Sequence, residues 1–295
     1  MTLACWPGTK EFSTWAVAVA VTPLTFESCH TDWRMRRNEE RSSMKIQVFG
    51  TASLATKAAT DWLATRLIQP ETRNVMVAGG NTPLSLYAQV AQRDLVLSHL
   101  NVFALDEYVG VPKEEHRNCA NLIRQAVVRT WKIPTHQYHP VSSCKAEAAA
   151  SIADHEKKIE SLGGLDLVIL GLGRNGHVGF NEPGSEPQSV GRVVPLSEIS
   201  VKANHEWFGG VYAPFLGVTT GMRTILSARC VLLLAFSEQK ADAVFKMTKG
   251  SQTASCPASY LQGHPNAFVF LDELAACRLP TPSDIVATAT SDETG

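Results

Sequence analysis

The feature that most constrains this chain is the apolar run Leu165-Asp166-Leu167-Val168-Ile169-Leu170 and the loop after it, Gly171-Leu172-Gly173-Arg174-Asn175-Gly176-His177-Val178-Gly179-Phe180-Asn181-Glu182-Pro183-Gly184. The run has strand length and reads as buried on both faces, the pattern of a central parallel strand. Gly171, Gly173, Gly176 and Gly179 then crowd the point where the strand should end. Glycine permits φ > 0 and lets a ligand approach the backbone closely. Into this loop the sequence places the imidazole of His177, the amides of Asn175 and Asn181, and the carboxylate of Glu182. Ligands in open α/β sheets bind at the carboxyl ends of strands, so the chemistry is expected here. The spacing Gly171-x-Gly173-x-x-Gly176 matches a dinucleotide fingerprint, but Val178 to Pro183 reads as loop. A pyrophosphate needs a helix N-terminus at that point, so a dinucleotide is not expected.

The chain has 295 residues, 44% hydrophobic and 19% charged, which is a globular balance. Its formal net charge is −1, so no global field favours nucleic acid. The 7 cysteines are scattered without a CxxC pair, which points to free thiols in a reducing compartment, the cytoplasm. No apolar run is long enough to cross a bilayer, so no membrane partner is expected. Residues 1–43 differ from the rest: they hold two cysteines and the basic cluster Arg34, Arg36, Arg37 and Arg41. Trp15 to Val21 is apolar enough for a signal segment, yet Glu11 precedes it and no small-residue cleavage site follows. The expectation is a poorly ordered extension, with Met44 the start of the domain proper, a domain over 44–276, and a loose tail over 277–295.

From Met44 strands and helices alternate. Strands are expected at Lys45–Phe49, Asn74–Ala78, Asn101–Leu105, Leu165–Leu170, Cys230–Phe236 and Ala267–Leu271, with a short one at Gly191–Pro195. Helices are expected from Thr51, a plausible N-cap, to Ile68, and at Leu84–Arg93, Asn118–Lys132 and Lys145–Leu162; another opens at Ser237–Lys240. Shorter helical pieces are expected near Met222–Leu226 and at Pro257–Leu261. The fold class that follows is α/β: a single domain with a doubly wound, largely parallel sheet and helices on both faces.

Three strand ends carry polar clusters. Gly79-Gly80-Asn81-Thr82-Pro83 leads into a helix, a strand–turn–helix device whose free N–H groups suit an anion such as phosphate. Asp106-Glu107 ends another strand; neighbours on an extended segment point to opposite sides, so only one can face a cleft. The third is Asn175 to Glu182. Lys240 follows the end of a fourth strand, where an ammonium can meet a phosphate. One parallel sheet brings these ends to one edge. An anion cradle, a carboxylate and an imidazole there suggest proton transfer on a phosphorylated small molecule. His177 has no His or Cys partner at ligand spacing, so no metal is expected, and no other cofactor is called for.

Asp106-Glu107-Tyr108-Val109-Gly110, with Pro112-Lys113-Glu114, and Gly176-His177-Val178-Gly179-Phe180-Asn181-Glu182-Pro183 resemble the glucosamine-6-phosphate deaminases. The wider group also holds 6-phosphogluconolactonases and galactosamine-6-phosphate deaminase/isomerases, and the resemblance runs from about Ile46 to Leu271. It implies an aldose–ketose isomerisation coupled to loss of ammonia. Asp106 would move a proton between C2 and C1, His177 would assist ring opening with Glu182 behind it, and Gly80, Asn81, Thr82 and Lys240 would hold the phosphate, next to Gly79. Three departures stand out. Asn175 replaces the usual Asp two residues before the His, Ala203 to Phe208 lacks the usual phosphate-binding Arg, and Gly79 to Pro83 is closer to the lactonase loop. The first two look more like the galactosamine branch. Asn175 is expected to orient the His177 ring. The rival readings are a lactonase, which usually has Arg where this chain has Tyr108, and a non-catalytic sugar-phosphate sensor. The sequence leaves the oligomeric state open, and no allosteric site is identifiable.

Overall fold

The computed structural model describes residues 44–280. The expected 1–43 extension and residues 281–295 of the expected tail lie outside the described residues. At the start of that tail, Arg278 reaches Asp242 at 2.5 Å and Leu279 packs on the core.

In chain order the strands are β1 Lys45–Phe49, β2 Asn74–Val77, β3 Asn101–Ala104, β4 Asp106–Tyr108, β5 Tyr138–His139, β6 Leu167–Gly171, β7 Arg192–Pro195, β8 Leu216–Thr219, β9 Val231–Ala235 and β10 Ala267–Asp272. The helices are α1 Ala52–Leu67, α2 Leu84–Ala91, α3 Cys119–Ile123, α4 Ala148–Ser161, α5 Glu198–Trp207, α6 Met222–Leu226, α7 Ala241–Lys249 and α8 Glu273–Ala276. A widened helical segment, Arg124–Arg129, continues α3. Thr51 caps α1 as expected, its hydroxyl accepting from Leu54 N–H at 3.2 Å.

Seven strands form one wholly parallel sheet in the order β1-β10-β9-β6-β2-β3-β5. Successive side chains of a strand point to opposite faces, and both faces are covered. Met76, Val168, Leu233 and Val269 pack with Ile159 of α4, Met222 of α6 and Val244 of α7. Val75, Val77, Ile169 and Leu232 pack with Leu63 of α1, Tyr87 of α2 and Val127. This is the doubly wound α/β architecture. The winding reverses between β2 and β6, and a crevice opens beyond the carboxyl ends of strands at such a point.

Two departures from the sequence expectation bear on the site. Asp106-Glu107 opens a strand of its own rather than ending β3: β4 pairs antiparallel with β8, and β8 with β7, in a separate three-stranded sheet. Helix α5 occupies a stretch for which no helix was expected. Ser197 caps it, accepting from Ser200 N–H at 3.3 Å.

Candidate active site

A cavity of about 400 Å³ opens at the β2/β6 reversal. Of the expected residues, Gly79, Gly80, Asn81, Asp106, His177 and Lys240 line it; Thr82, Asn175 and Glu182 do not. Thr82 sits against Gly171, and Asn175 and Glu182 stand behind His177.

The two adjacent carboxylates divide as expected. Asp106 faces the cavity, and burial pushes it up to about 7 against a hydrogen bond from the Cys119 thiol. Glu107 points away and is fully buried. It accepts from the N–H groups of Tyr108 at 2.7 Å, Cys119 at 3.1 Å and Ala120 at 2.8 Å. Burial pushes Glu107 up to about 7 as well, against those three bonds. Glu107 therefore holds the start of α3 beside Asp106 and stays out of the cavity.

The loop after β6 is shaped around the imidazole. A Cβ on Gly173 would lie 2.4 Å from the His177 ring, so only glycine leaves room for it. Gly176 adopts φ +86, and a Cβ there would also strike Cys256 Sγ at 2.5 Å. The Nδ1 side of His177 lies 3.5 Å from Glu182 Oε2 and 3.4 Å from Ser200 Oγ. Glu182 is buried, which raises its pKa, but His177 foremost, with Ser200 and Asn175, more than offsets this and brings it to about 2. The carboxylate is thus held charged behind the ring. Such backing fixes the orientation of the ring.

Asn175, expected to orient the His177 ring, bonds to Glu182 and to the His177 backbone. Its Nδ2 donates to Glu182 Oε2 at 2.7 Å and to Ser197 Oγ at 3.1 Å, and its Oδ1 accepts from His177 N–H at 3.3 Å. It positions the carboxylate that positions the ring.

Lys240 donates from Nζ to Leu172 O at 2.6 Å, and burial, then the charge of Arg174, lowers it to about 8. The sequence reading missed several wall residues: Arg174 from the β6 loop, Ile199, Ser200, Glu206 and Trp207 from α5, and Gln239. Ser197-Glu198, a cap followed by an acid, was the signal available for α5. Among the described residues no group of three or more His, Cys, Asp or Glu side chains could hold a metal ion.

The family model for glucosamine-6-phosphate isomerases and 6-phosphogluconolactonase matches residues 50–270. A glucosamine-6-phosphate deaminase of Colwellia psychrerythraea is 36% identical over 245 residues, which is 80% of this chain and 90% of that protein. Among solved structures, a monomeric glucosamine-6-phosphate deaminase superposes with a TM-score of 0.75 at 30% identity, over 79% of this chain and 99% of that one. A 6-phosphogluconolactonase from Trypanosoma cruzi superposes with a TM-score of 0.67 at 24% identity, over 82% of this chain and 99% of that one, a likeness of fold.

Proposed function

Because this chain belongs to the family of glucosamine-6-phosphate isomerases and 6-phosphogluconolactonases, we propose that it is an amino-sugar phosphate deaminase/isomerase. It converts a 2-amino-2-deoxyhexose 6-phosphate and water to the ketohexose 6-phosphate and ammonia. The observation that carries this reading is one cavity lined by a near-neutral carboxylate, an imidazole backed by a second carboxylate, and an anion-binding turn with a lysine.

In this reading Asp106 is the base. A carboxylate that burial holds near 7 can take a proton from C2 and return it at C1 at neutral pH. His177 presents its Nε2 side to the sugar and passes the proton that opens the ring, with Glu182 fixing the ring from behind. Gly80, Asn81 and Lys240 receive the phosphate; Thr82 supports that turn from its position against Gly171. Five free cysteines among the described residues fit a cytoplasmic enzyme, and no helix among them is long and apolar enough to cross a membrane.

The similar proteins named above favour glucosamine-6-phosphate as substrate, while Asn175 and the Arg-less segment Ala203 to Phe208 favour the galactosamine epimer. The test is ammonia release by the purified protein from each epimer, with 6-phosphogluconolactone hydrolysis measured beside it. Ammonia from at least one is the expected result, and the faster epimer is the substrate. Lactone hydrolysis without ammonia would replace this reading with the hydrolase, and binding without turnover of any of them would replace it with the sensor.

A further inference from the structure

The cavity wall that carries Lys240 holds a second cation to which the family pattern gives no role. Arg174 stands within the turn from Gly173 to Gly176. Gly176 N–H donates to Gly173 O at 3.1 Å, Gly173 N–H donates to His177 O at 2.9 Å, and Ala258 N–H pins the far end through Gly176 O at 2.9 Å. The backbone under Arg174 is therefore fixed, while its side chain is exposed along the cavity. Among the described residues Arg174 makes no hydrogen bond or ion pair. The Lys240 ammonium donates to Leu172 O, and among the described residues no carboxylate pairs with it.

The two cations feel each other: the charge of Arg174 adds to burial in lowering Lys240. Like charges held together in a partly buried wall, without a counter-ion, cost free energy that an incoming anion removes. The same cavity receives Glu206 from α5. A carboxylate there repels a phosphate, and α5 supplies no arginine to attract one. The anion is therefore drawn to the β6 loop and kept from the α5 wall.

We propose that Arg174 is the guanidinium that, together with Lys240, grips the substrate phosphate, taking the place of an arginine on α5. This rests on the sugar-phosphate reading above. A guanidinium fork takes two phosphate oxygens, and the lysine meets the group as a point charge. The 6-phosphate then lies at the Arg174–Lys240 wall, and the C1–C2 end of the sugar is directed towards Asp106 and His177. Phosphate recognition becomes a property of the fixed loop that also carries the imidazole.

The test uses inorganic phosphate as probe, read as competitive inhibition and as direct binding, alongside kcat and KM for the amino-sugar phosphate. Arg174→Ala is expected to weaken phosphate binding and raise KM by roughly tenfold or more, with kcat changed by less than about threefold, the signature of lost uniform binding. Arg174→Lys keeps the charge without the fork and falls between the two. Lys240→Met tests the parent reading separately. If Lys240→Met weakens phosphate and Arg174→Ala leaves it unchanged, the Arg174 assignment is overturned and the sugar-phosphate reading stands. If phosphate does not bind the wild-type protein, both fall.

Discussion

Ionising Asp106 is opposed by its burial, which pushes it up to about 7 despite the Cys119 hydrogen bond. The unfolded carboxylate titrates near 3.9. A pKa raised by folding contributes stability that is fully present below the unfolded value and is lost as pH rises through the folded value. Activity runs the other way, because the base must be ionised to accept a proton. The acid limb of kcat/KM is therefore expected near pH 7. Asp106→Asn keeps the shape and cannot ionise. Turnover should fall by about 10²-fold or more, while stability relative to wild type rises by roughly 2–3 kcal/mol between pH 5 and pH 8. Assays paired with denaturant unfolding at the two pH values check both. A variant that loses activity without this pH-dependent gain would show that Asp106 is not the strained, buried carboxylate described above.

At the scale of elements, the helix expected over Asn118–Lys132 is divided: α3 ends at Ile123 and a widened turn covers Arg124–Arg129. Apolar spacing locates such a helix, but its winding follows from partners distant in sequence. Trp131 Nε1 donates to Tyr87 O at 3.0 Å, and Tyr138 OH donates to Ala120 O at 2.8 Å. The small sheet was hidden for the same reason. Asp106–Tyr108 is three residues long, too short for alternation to show, and its partner lies more than a hundred residues on. The major strands and the polar strand ends were legible because a buried parallel strand is a continuous apolar run. Arg174 was in view but had no role until Lys240 came beside it in space. Glu107 read as a possible site residue and is the tie between β4 and α3. Glu107→Ala strands the buried N–H groups of Tyr108 and Cys119, each costing about 1–3 kcal/mol, and frees the part-buried N–H of Ala120. The expected outcome is a loss of unfolding free energy of that order, read as a lower urea midpoint. The fall in kcat/KM should come from displaced Asp106, so substrate affinity is expected to change less than kcat. Unchanged stability would mean that water replaces the carboxylate there.

Across the whole molecule, the buried titratable groups oppose one another in pH. Asp106 and Glu107 are raised, and their contributions fade as pH rises towards 7. Among the described residues His139, His155 and His264 are lowered, each first by burial. His155, on α4, is the extreme case, brought down to about 4 by burial and then by the charge of His139, with the Ala104 backbone opposing. Its ring sits edge-on to Phe103 with centroids 5.3 Å apart, and its Nε2 has no hydrogen-bond partner among the described residues. A histidine with a depressed folded value contributes stability that is present above the unfolded value near 6.5 and is lost as pH falls towards the folded one. Between about pH 4 and pH 7 the carboxylates therefore lower stability as pH rises while His155 raises it, and activity rises with the ionised fraction of Asp106. His155→Gln tests the acid side, since the amide can still donate to the Ala104 carbonyl but cannot titrate. Between pH 7 and pH 5 the wild type should lose about 2 kcal/mol relative to the variant, from 1.36 kcal/mol for each pH unit below 6.5. Urea unfolding of both proteins across that range is the measurement. Parallel curves would mean that His155 does not titrate with folding, and that the acid lability of this molecule originates elsewhere.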